Sequence, residues 1–481
     1  MAAVPVVQLL LAAVACLGLW RLCRAQPKIV IAGFLVRALV GQALFWISYL
    51  RLPVARSLQL GNGFWFFAVD GPFYLGYATK LAARGPAAIL LDPEQYPSLF
   101  FVQVLSLCVG AFGSVASVAI LLNCAAYLLT CAILVRVARA RNDIVLVAIA
   151  CSPASILFSL QPLKDTLFML LIVAMVAAFL RWEELWRAGG TPAQFLGYAA
   201  AMCTVIYALG GIRWYFPVIA CGAAAIFLAL TALQAHRKGW AFVTNAVLLI
   251  LLAQSIRLGA HDLPPSYDRL LNPMTALQWR PSATREHLAD VRKGFDSTPG
   301  ATTIAEGDAF ARPGMAGRPG ATTLAEGVPP AQPDIVPVAP VVPASREPAS
   351  SIFPPRFASR IITGFAAMFL PRILGESLGL IRVGGGRGLW LFAEVDTLLF
   401  DLVLLYAIVQ CARSLRRGRA KMTATFVFCA LVFVMTAGPM LYTVNNFGTL
   451  FRLRLMVYCI AAVLPITLRE VTLREEGDAV P

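Results

Sequence analysis

The chain has little charge and almost no histidine. Only 14% of its 481 residues are charged while 59% are hydrophobic, which is more apolar surface than a soluble domain can bury. The three histidines, His236, His261 and His287, lie far apart, which leaves a zinc or haem centre without a ligand set. The eleven cysteines, among them Cys16, Cys124, Cys131, Cys203, Cys221, Cys429 and Cys459, fall mostly within apolar runs and show no paired metal spacing. They read as small buried hydrophobes. Acidic residues number 25 against 40 basic ones, for a net charge of +15. The basic residues sit in short clusters between apolar runs rather than on one soluble face, so nucleic acid is not the expected partner.

What the chain does have is long apolar windows. They fall near 4–20, 29–50, 113–136, 143–159, 165–181, 193–209, 215–233, 240–258, 388–411, 423–441 and 454–468. The expected fold is an all-α polytopic membrane protein with roughly eleven crossings. The basic clusters Arg21/Arg24/Lys28, Arg136/Arg139/Arg141, Arg237/Lys238 and Arg413 to Lys421 follow alternate turns of this path. The positive-inside rule makes those turns cytoplasmic. Asp70, the Lys164 turn, the Arg213 turn, the segment 259–357 and the Asn445–Arg454 turn then share the outer side. For that parity the apolar stretch 98–112 must not cross, and we read it as a helix in the outer interface. The amino-terminal apolar run lacks a basic start and is followed by Arg21 and Arg24, which favours an uncleaved first span over a signal peptide.

Three regions follow: 1–258 with a first external loop at 51–112, an external segment 259–387, and carboxy-terminal spans and tail at 388–481. Within the middle region Gly300–Gly307 (GATTIAEG) recurs as Gly320–Gly327 (GATTLAEG), and prolines crowd the stretch up to Pro343. This composition, over about 296–350, reads as a flexible insertion without chemistry. Its flanks, Tyr267 to Phe295 and Phe357 to Leu380, read as helices on the outer membrane surface. The run Gly384 to Gly388 lacks a preceding strand and a following Lys-Ser or Lys-Thr, so a hinge is expected there rather than a phosphate loop.

Asp70 closes the run Gly61 to Val69 just beyond the second span, a costly place for a carboxylate beside lipid. With it the outer turns bring Tyr74, Ser159, Gln161, Lys164, Asp165, Arg213, Tyr215, Asn445, Asn446, Thr449, Arg452 and Arg454 to one side of the membrane. A carboxylate facing several cations is what transfer from a phosphate leaving group to a hydroxyl requires. The bland alternatives stay open: Asp70 as a helix cap or as the partner of a nearby arginine, Asp165 as a cap with Lys164 reaching outward, and the arginines as contacts for lipid headgroups. Arg37, inside the second span, needs a buried partner or a route to the interface, and Glu394, Asp396 and Asp401 in the 388–411 window either line a pocket or pair with it.

The order Asp70, Tyr74, Ala78, then Tyr96-Pro97, Gly110 and Gly113, then a span ending in basic residues, resembles the amino-terminal half of the GT-C superfamily of integral-membrane glycosyltransferases. Cys151-Ser152-Pro153, Phe158-Ser159, Leu163-Lys164-Asp165 and the carboxy-terminal Asn446-Phe447-Gly448-Thr449, Arg452 and Arg454 are similar to bacterial members that handle cell-surface polysaccharide. The resemblance implies a GT-C-like architecture in a bacterial inner membrane and a site facing the periplasm or exterior. It also implies a polyprenyl-phosphate-linked sugar donor, an inverting transfer and a glycan, lipid or protein acceptor. Asp70 would be the catalytic base, with Arg452, Arg454, Lys164 and Arg213 binding the donor phosphate and Tyr74, Asp92, Glu94, Asp165, Glu394 and Asn446 lining the site. Many members carry two acids close together in the first loop; here Gly71 follows Asp70, and Asp92 and Glu94 come much later. A divalent metal is therefore left open and no other cofactor is expected. Two rival readings are a polymerase of lipid-linked oligosaccharides and, from another class, a transporter or flippase of lipid-linked glycans, which needs polar groups along the midplane of several spans.

Overall fold

A computed structural model describes residues 3–22, 27–91, 96–136, 143–235, 238–260, 357–378, 390–418, 420–443 and 447–470. The chain divides into two units, one of 1–277 with 356–481 and one of 278–355. The second unit, with the repeat-bearing insertion, lies outside the described residues, as do Asp92, Glu94, Asn445, Asn446 and Gly384 to Gly388.

The first unit is a bundle of helices. In chain order these are α1 (Ala3–Leu22), α2 (Pro27–Tyr49), α3 (Gly71–Ala83), α4 (Pro86–Leu91), α5 (Leu99–Phe112), α6 (Ser117–Arg136), α7 (Asp143–Cys151), α8 (Pro153–Ser159), α9 (Asp165–Ala188), α10 (Pro192–Gly210), α11 (Tyr215–Gln234) and α12 (Lys238–Gly259). Beyond the second unit come α13 (Phe357–Phe369), α14 (Arg372–Ser377), α15 (Trp390–Arg416), α16 (Ala424–Thr443) and α17 (Phe447–Val463). Eight of the described helices, α2, α6, α9, α10, α11, α12, α15 and α16, are long and apolar enough to cross a membrane. The protein is thus a multi-pass, all-α membrane protein. These eight match eight of the eleven apolar windows. The others fall on α1, on the pair α7 and α8, and on α17, which starts seven residues before its window and ends in a 3₁₀ turn at Leu464–Thr467. Helix α5, with 14 residues, is about 21 Å long, short of the roughly 30 Å hydrocarbon core.

The window 143–159 is not one helix. Ser152 leaves the helical path and Pro153, which has no N–H to donate, begins a new helix. A break inside an apolar bundle leaves the carbonyls of α7 and the amides of α8 without intrahelical partners, and two charged side chains supply them. Arg37 on α2 donates to the carbonyls of Ile149 (3.1 Å) and Ala150 (3.0 Å), to its own helix at Gly33 (2.9 Å) and to Ser155 Oγ (2.9 Å). Its guanidinium also stacks 4.1 Å from the centre of the Tyr127 ring. Asp396 on α15 accepts from the Ala154 amide at 3.0 Å and from Ser152 Oγ at 3.3 Å. The cation sits at the carbonyl end of the break and the anion at the amide end, the arrangement that peptide dipoles favour. Arg37 therefore pairs with backbone oxygens and not with Glu394, Asp396 or Asp401.

Asp396 also accepts from Arg454 on α17 at 2.9 Å, and Arg454 donates to Thr397 Oγ1 (2.7 Å) and the Met368 carbonyl (3.3 Å). One carboxylate thereby fixes α8, α15 and α17 together, while Arg454 adds α13. At the opposite end of α9, buried Glu183 accepts from the amides of Ala424 and Thr425 and so caps α16. Asp396→Leu leaves a buried guanidinium without its anion and should cost about 3–5 kcal/mol, read as a lowered unfolding midpoint in detergent. Adding Arg454→Met should recover most of that loss, and a single variant as stable as the parent would contradict the role.

Candidate functional site

Asp70 is placed by a hairpin. Gln59–Gly61 (β1) pairs with Phe64–Trp65 (β2) across Asn62-Gly63, and both turn residues have positive φ, 53° and 88°. This is the backbone twist a two-residue hairpin needs and the reason for Asn-Gly here. At Gly63 space also demands glycine, because a Cβ would come within 2.5 Å of the Phe45 ring. Ser48 Oγ donates to the Phe64 carbonyl and Trp65 Nε1 to the Leu44 carbonyl, which docks the hairpin on α2. Gln161 Nε2 reaches the Gly63 carbonyl at 3.1 Å. A 3₁₀ turn, Phe66–Ala68, then delivers Asp70 to the start of α3.

The other turns close on the same place. Asn123 Nδ2 on α6 donates to the carbonyls of Ser159 and Gln161, both at 2.9 Å, which holds the turn that presents Lys164 and Asp165. The Phe100 amide donates to the Gly211 carbonyl and Ser98 Oγ to the Ile212 carbonyl, which brings the start of α5 against the Arg213 turn. Ser98 adopts φ 57°, an uncommon conformation for a residue with a side chain.

At the junction, carboxylates and guanidiniums alternate. Arg452 donates from Nη1 to Asp70 Oδ2 (2.6 Å) and from Nη2 to Asp165 Oδ2 (3.2 Å). Arg213 donates from Nη2 to Asp165 Oδ1 (2.7 Å) and from Nη1 to Tyr215 Oη (3.1 Å). Asp165 and Arg213 are buried, whereas Asp70 is 41% exposed. The second oxygen of Asp70, Oδ1, has no hydrogen bond among the described residues. Arg213 Nε and Arg452 Nε are buried donors without a partner among the described residues.

Among the described residues two carboxylates balance two guanidiniums, and Lys164 is the surplus cation there. Its Nζ donates to Ser98 Oγ at 2.5 Å and to the Ile212 carbonyl at 3.4 Å, and lies 5.7 Å from the centre of the Tyr74 ring. Burial and then the nearby Arg213 pull its pKa down to about 7. An amine at that value gains or loses its proton within the physiological range.

The structure thus gathers Asp70, Tyr74, Lys164, Asp165, Arg213 and Arg452. It directs Arg454 elsewhere: two residues along a helix is about 200° of rotation, and Arg454, 2% exposed, is bonded to Asp396 and Thr397. Glu394 also has other work, since it accepts from the Ile373 amide at the start of α14. Ser98 was not singled out from the sequence. The signal was a serine just before an apolar helix, which usually marks a cap; yet neither Ser98 nor Asp70 caps its helix through the side chain. Asp165 is the centre of the cluster rather than part of its lining, because both arginines meet on it.

The arrangement presents one surplus cation, Lys164, beside two arginines held by carboxylates and a carboxylate, Asp70, with one oxygen free of hydrogen bonds among the described residues. Comparison with protein-family models, with curated proteins and with solved structures finds no match to this chain.

The lowered pKa of Lys164 has a definite sign. Between about 7 and the ordinary lysine value of about 10.4 the folded chain holds fewer protons at this residue than the unfolded chain. Its contribution to stability therefore rises with pH across that window, and below it the charged, desolvated form is the costly one. Acylation of Lys164 by a small amine-selective reagent, followed by mass spectrometry, should be half-maximal near pH 7. Half-maximal labelling near pH 10 would contradict the lowered pKa of Lys164.

Proposed function

We propose that this protein is a membrane glycosyltransferase of GT-C type that moves a sugar from a polyprenyl-phosphate carrier to a hydroxyl on a glycan, lipid or protein acceptor. The observation that carries the reading is the bridge from Arg452 to Asp70 and Asp165, beside Lys164 and Arg213. The proposal reads all eleven apolar windows as crossings and sets this cluster at the outer face of a bacterial inner membrane. The alternation of basic turns supports that side.

In the reaction we infer, the acceptor oxygen attacks the anomeric carbon as its proton passes to Asp70. The bond from that carbon to the phosphate oxygen breaks, and polyprenyl phosphate leaves carrying the electron pair. Negative charge grows on the phosphate, where Arg452, Arg213 and Lys164 can stabilise it. Because Arg452 is engaged by two carboxylates at rest, a donor phosphate competes with them for the same N–H groups. If it takes the Nη1 donor, Asp70 is released as a free base. Arg454 is left out of donor binding; its bonds to Asp396 and Thr397 hold α17 and with it Arg452.

The broken helix α7/α8 is the observation that favours a transporter, since such proteins build substrate sites at helix breaks. Here Arg37 and Asp396 already fill the two ends of the break, which leaves the enzyme reading ahead.

Asp70→Asn should lower sugar transfer about 10²–10⁴-fold in purified protein in nanodiscs assayed with a panel of polyprenyl-phosphate sugars. Loss of a partly exposed ion pair should cost at most about 1 kcal/mol of stability on the same sample. Near-normal turnover in Asp70→Asn would remove the catalytic role. Movement of the lipid-linked sugar across proteoliposomes without transfer would favour the transporter.

A further inference from the structure

Helix α15 has two faces of different character. Ala393, Phe400, Val403, Ala407 and Cys411 are buried against the bundle. On the far side Val395, Leu398, Leu402, Leu405 and Ile408 are exposed, and the first four with half-buried Val409 repeat at alternating steps of three and four. That is the spacing of a helix-packing seam, where each side chain inserts between those of a facing helix. Asp401 lies beside the seam in the position that flanks its core, where interhelical ion pairs form.

Asp401 is partly exposed and makes no hydrogen bond or ion pair among the described residues. It is eleven residues from the first residue of α15 and fifteen from the last, about 16 and 22 Å along the helix. A short side chain at that depth cannot reach the headgroups as a lysine can, and acyl chains offer it no donor. A carboxylate facing hydrocarbon at mid-span is expensive, and such groups pair with another polar residue. The other acids of this helix already have partners: Asp396 has Arg454, and Glu394 has the Ile373 amide. Asp401 is the acid of this helix without a hydrogen-bonding partner among the described residues; the Arg454 charge acts on it only from a distance, since Arg454 is bonded to Asp396.

We propose that the outer seam of α15 docks a transmembrane helix of a partner protein that carries a lysine or arginine at mid-span opposite Asp401. A second copy of this chain is the poorer occupant, because α15 presents its cations only in its last turn, at Arg413 and Arg416. The same seam would set Asp401 against leucines or a like charge. The proposal does not depend on the glycosyltransferase reading, since the seam shares no residue with the Asp70 cluster.

The test uses the full-length protein in liposomes and two labelled synthetic transmembrane peptides with a leucine seam, one with lysine at mid-span and the other with leucine there. Energy transfer measured over a series of lipid dilutions reports their association. The unsubstituted protein should bind the lysine peptide about 5- to 30-fold more tightly. Asp401→Leu should erase that preference, and Leu398→Ala with Leu402→Ala should weaken both peptides. Asp401→Lys should transfer the preference to a peptide with glutamate at mid-span. Equal binding of the lysine and leucine peptides, or a preference that survives Asp401→Leu, would overturn the proposal. Self-association of the protein that Asp401→Leu abolishes would overturn it in favour of a second copy. An unchanged unfolding midpoint in Asp401→Leu confirms that the comparison is made on folded protein.

Discussion

Asp396 and Arg454 form the contact that fixes how α8, α13, α15 and α17 meet. In an apolar interior an ion without a partner is so costly that the fold must bring its partner to it. Asp396 meets Arg454, the Ser152 hydroxyl and the Ala154 amide, so it joins three chain segments that are distant in sequence. The helix break at Ser152-Pro153 is tolerable because this anion and the Arg37 cation occupy its two ends. Burial of Phe400, Met368 and Tyr458 around the same point excludes water and strengthens each of these bonds.

From that anchor the candidate site follows by helical phase. Arg452 and Arg454 leave α17 in opposite directions, so a structural bond at the second points the first toward Asp70 and Asp165. The alternation of two acids with two arginines keeps these four groups matched at rest. It also keeps both guanidiniums ionised and oriented, which is the preorganisation that transfer to or from a phosphate needs. Lys164 stands apart from this balance, held by a serine hydroxyl and an aromatic face instead of an acid.

Much of this was legible in the sequence for physical reasons that differ from residue to residue. The long helices announce themselves because a bilayer leaves few ways to satisfy a backbone. Asp70, Lys164, Asp165, Arg213 and Arg452 stand out because charge next to apolar runs is rare. The opposite aims of Arg452 and Arg454 are readable from a spacing of two on a helix, which separates them although the resemblance gives both to the donor phosphate. The Asn62-Gly63 hairpin was readable too, from its turn residues. By contrast, the pairing of Arg37 with carbonyls more than a hundred positions away, and that of Asp396 with Arg454, depends on how helices pack. No local pattern carries such contacts. Ser98 was hidden because its sequence setting is that of an ordinary cap.

In the proposed reaction Arg452 holds the donor phosphate in exchange for Asp70. The most direct measurement is the affinity of polyprenyl phosphate, without a sugar, for the protein in nanodiscs and for its Arg452→Ala and Asp70→Asn variants. Loss of a charge-assisted contact of about 1.5–3 kcal/mol predicts roughly 10- to 150-fold weaker binding for Arg452→Ala. Asp70→Asn, which removes a competing carboxylate, should bind at least as tightly as the parent. Equal affinity in the parent and Arg452→Ala, or weaker binding in Asp70→Asn, would contradict the account.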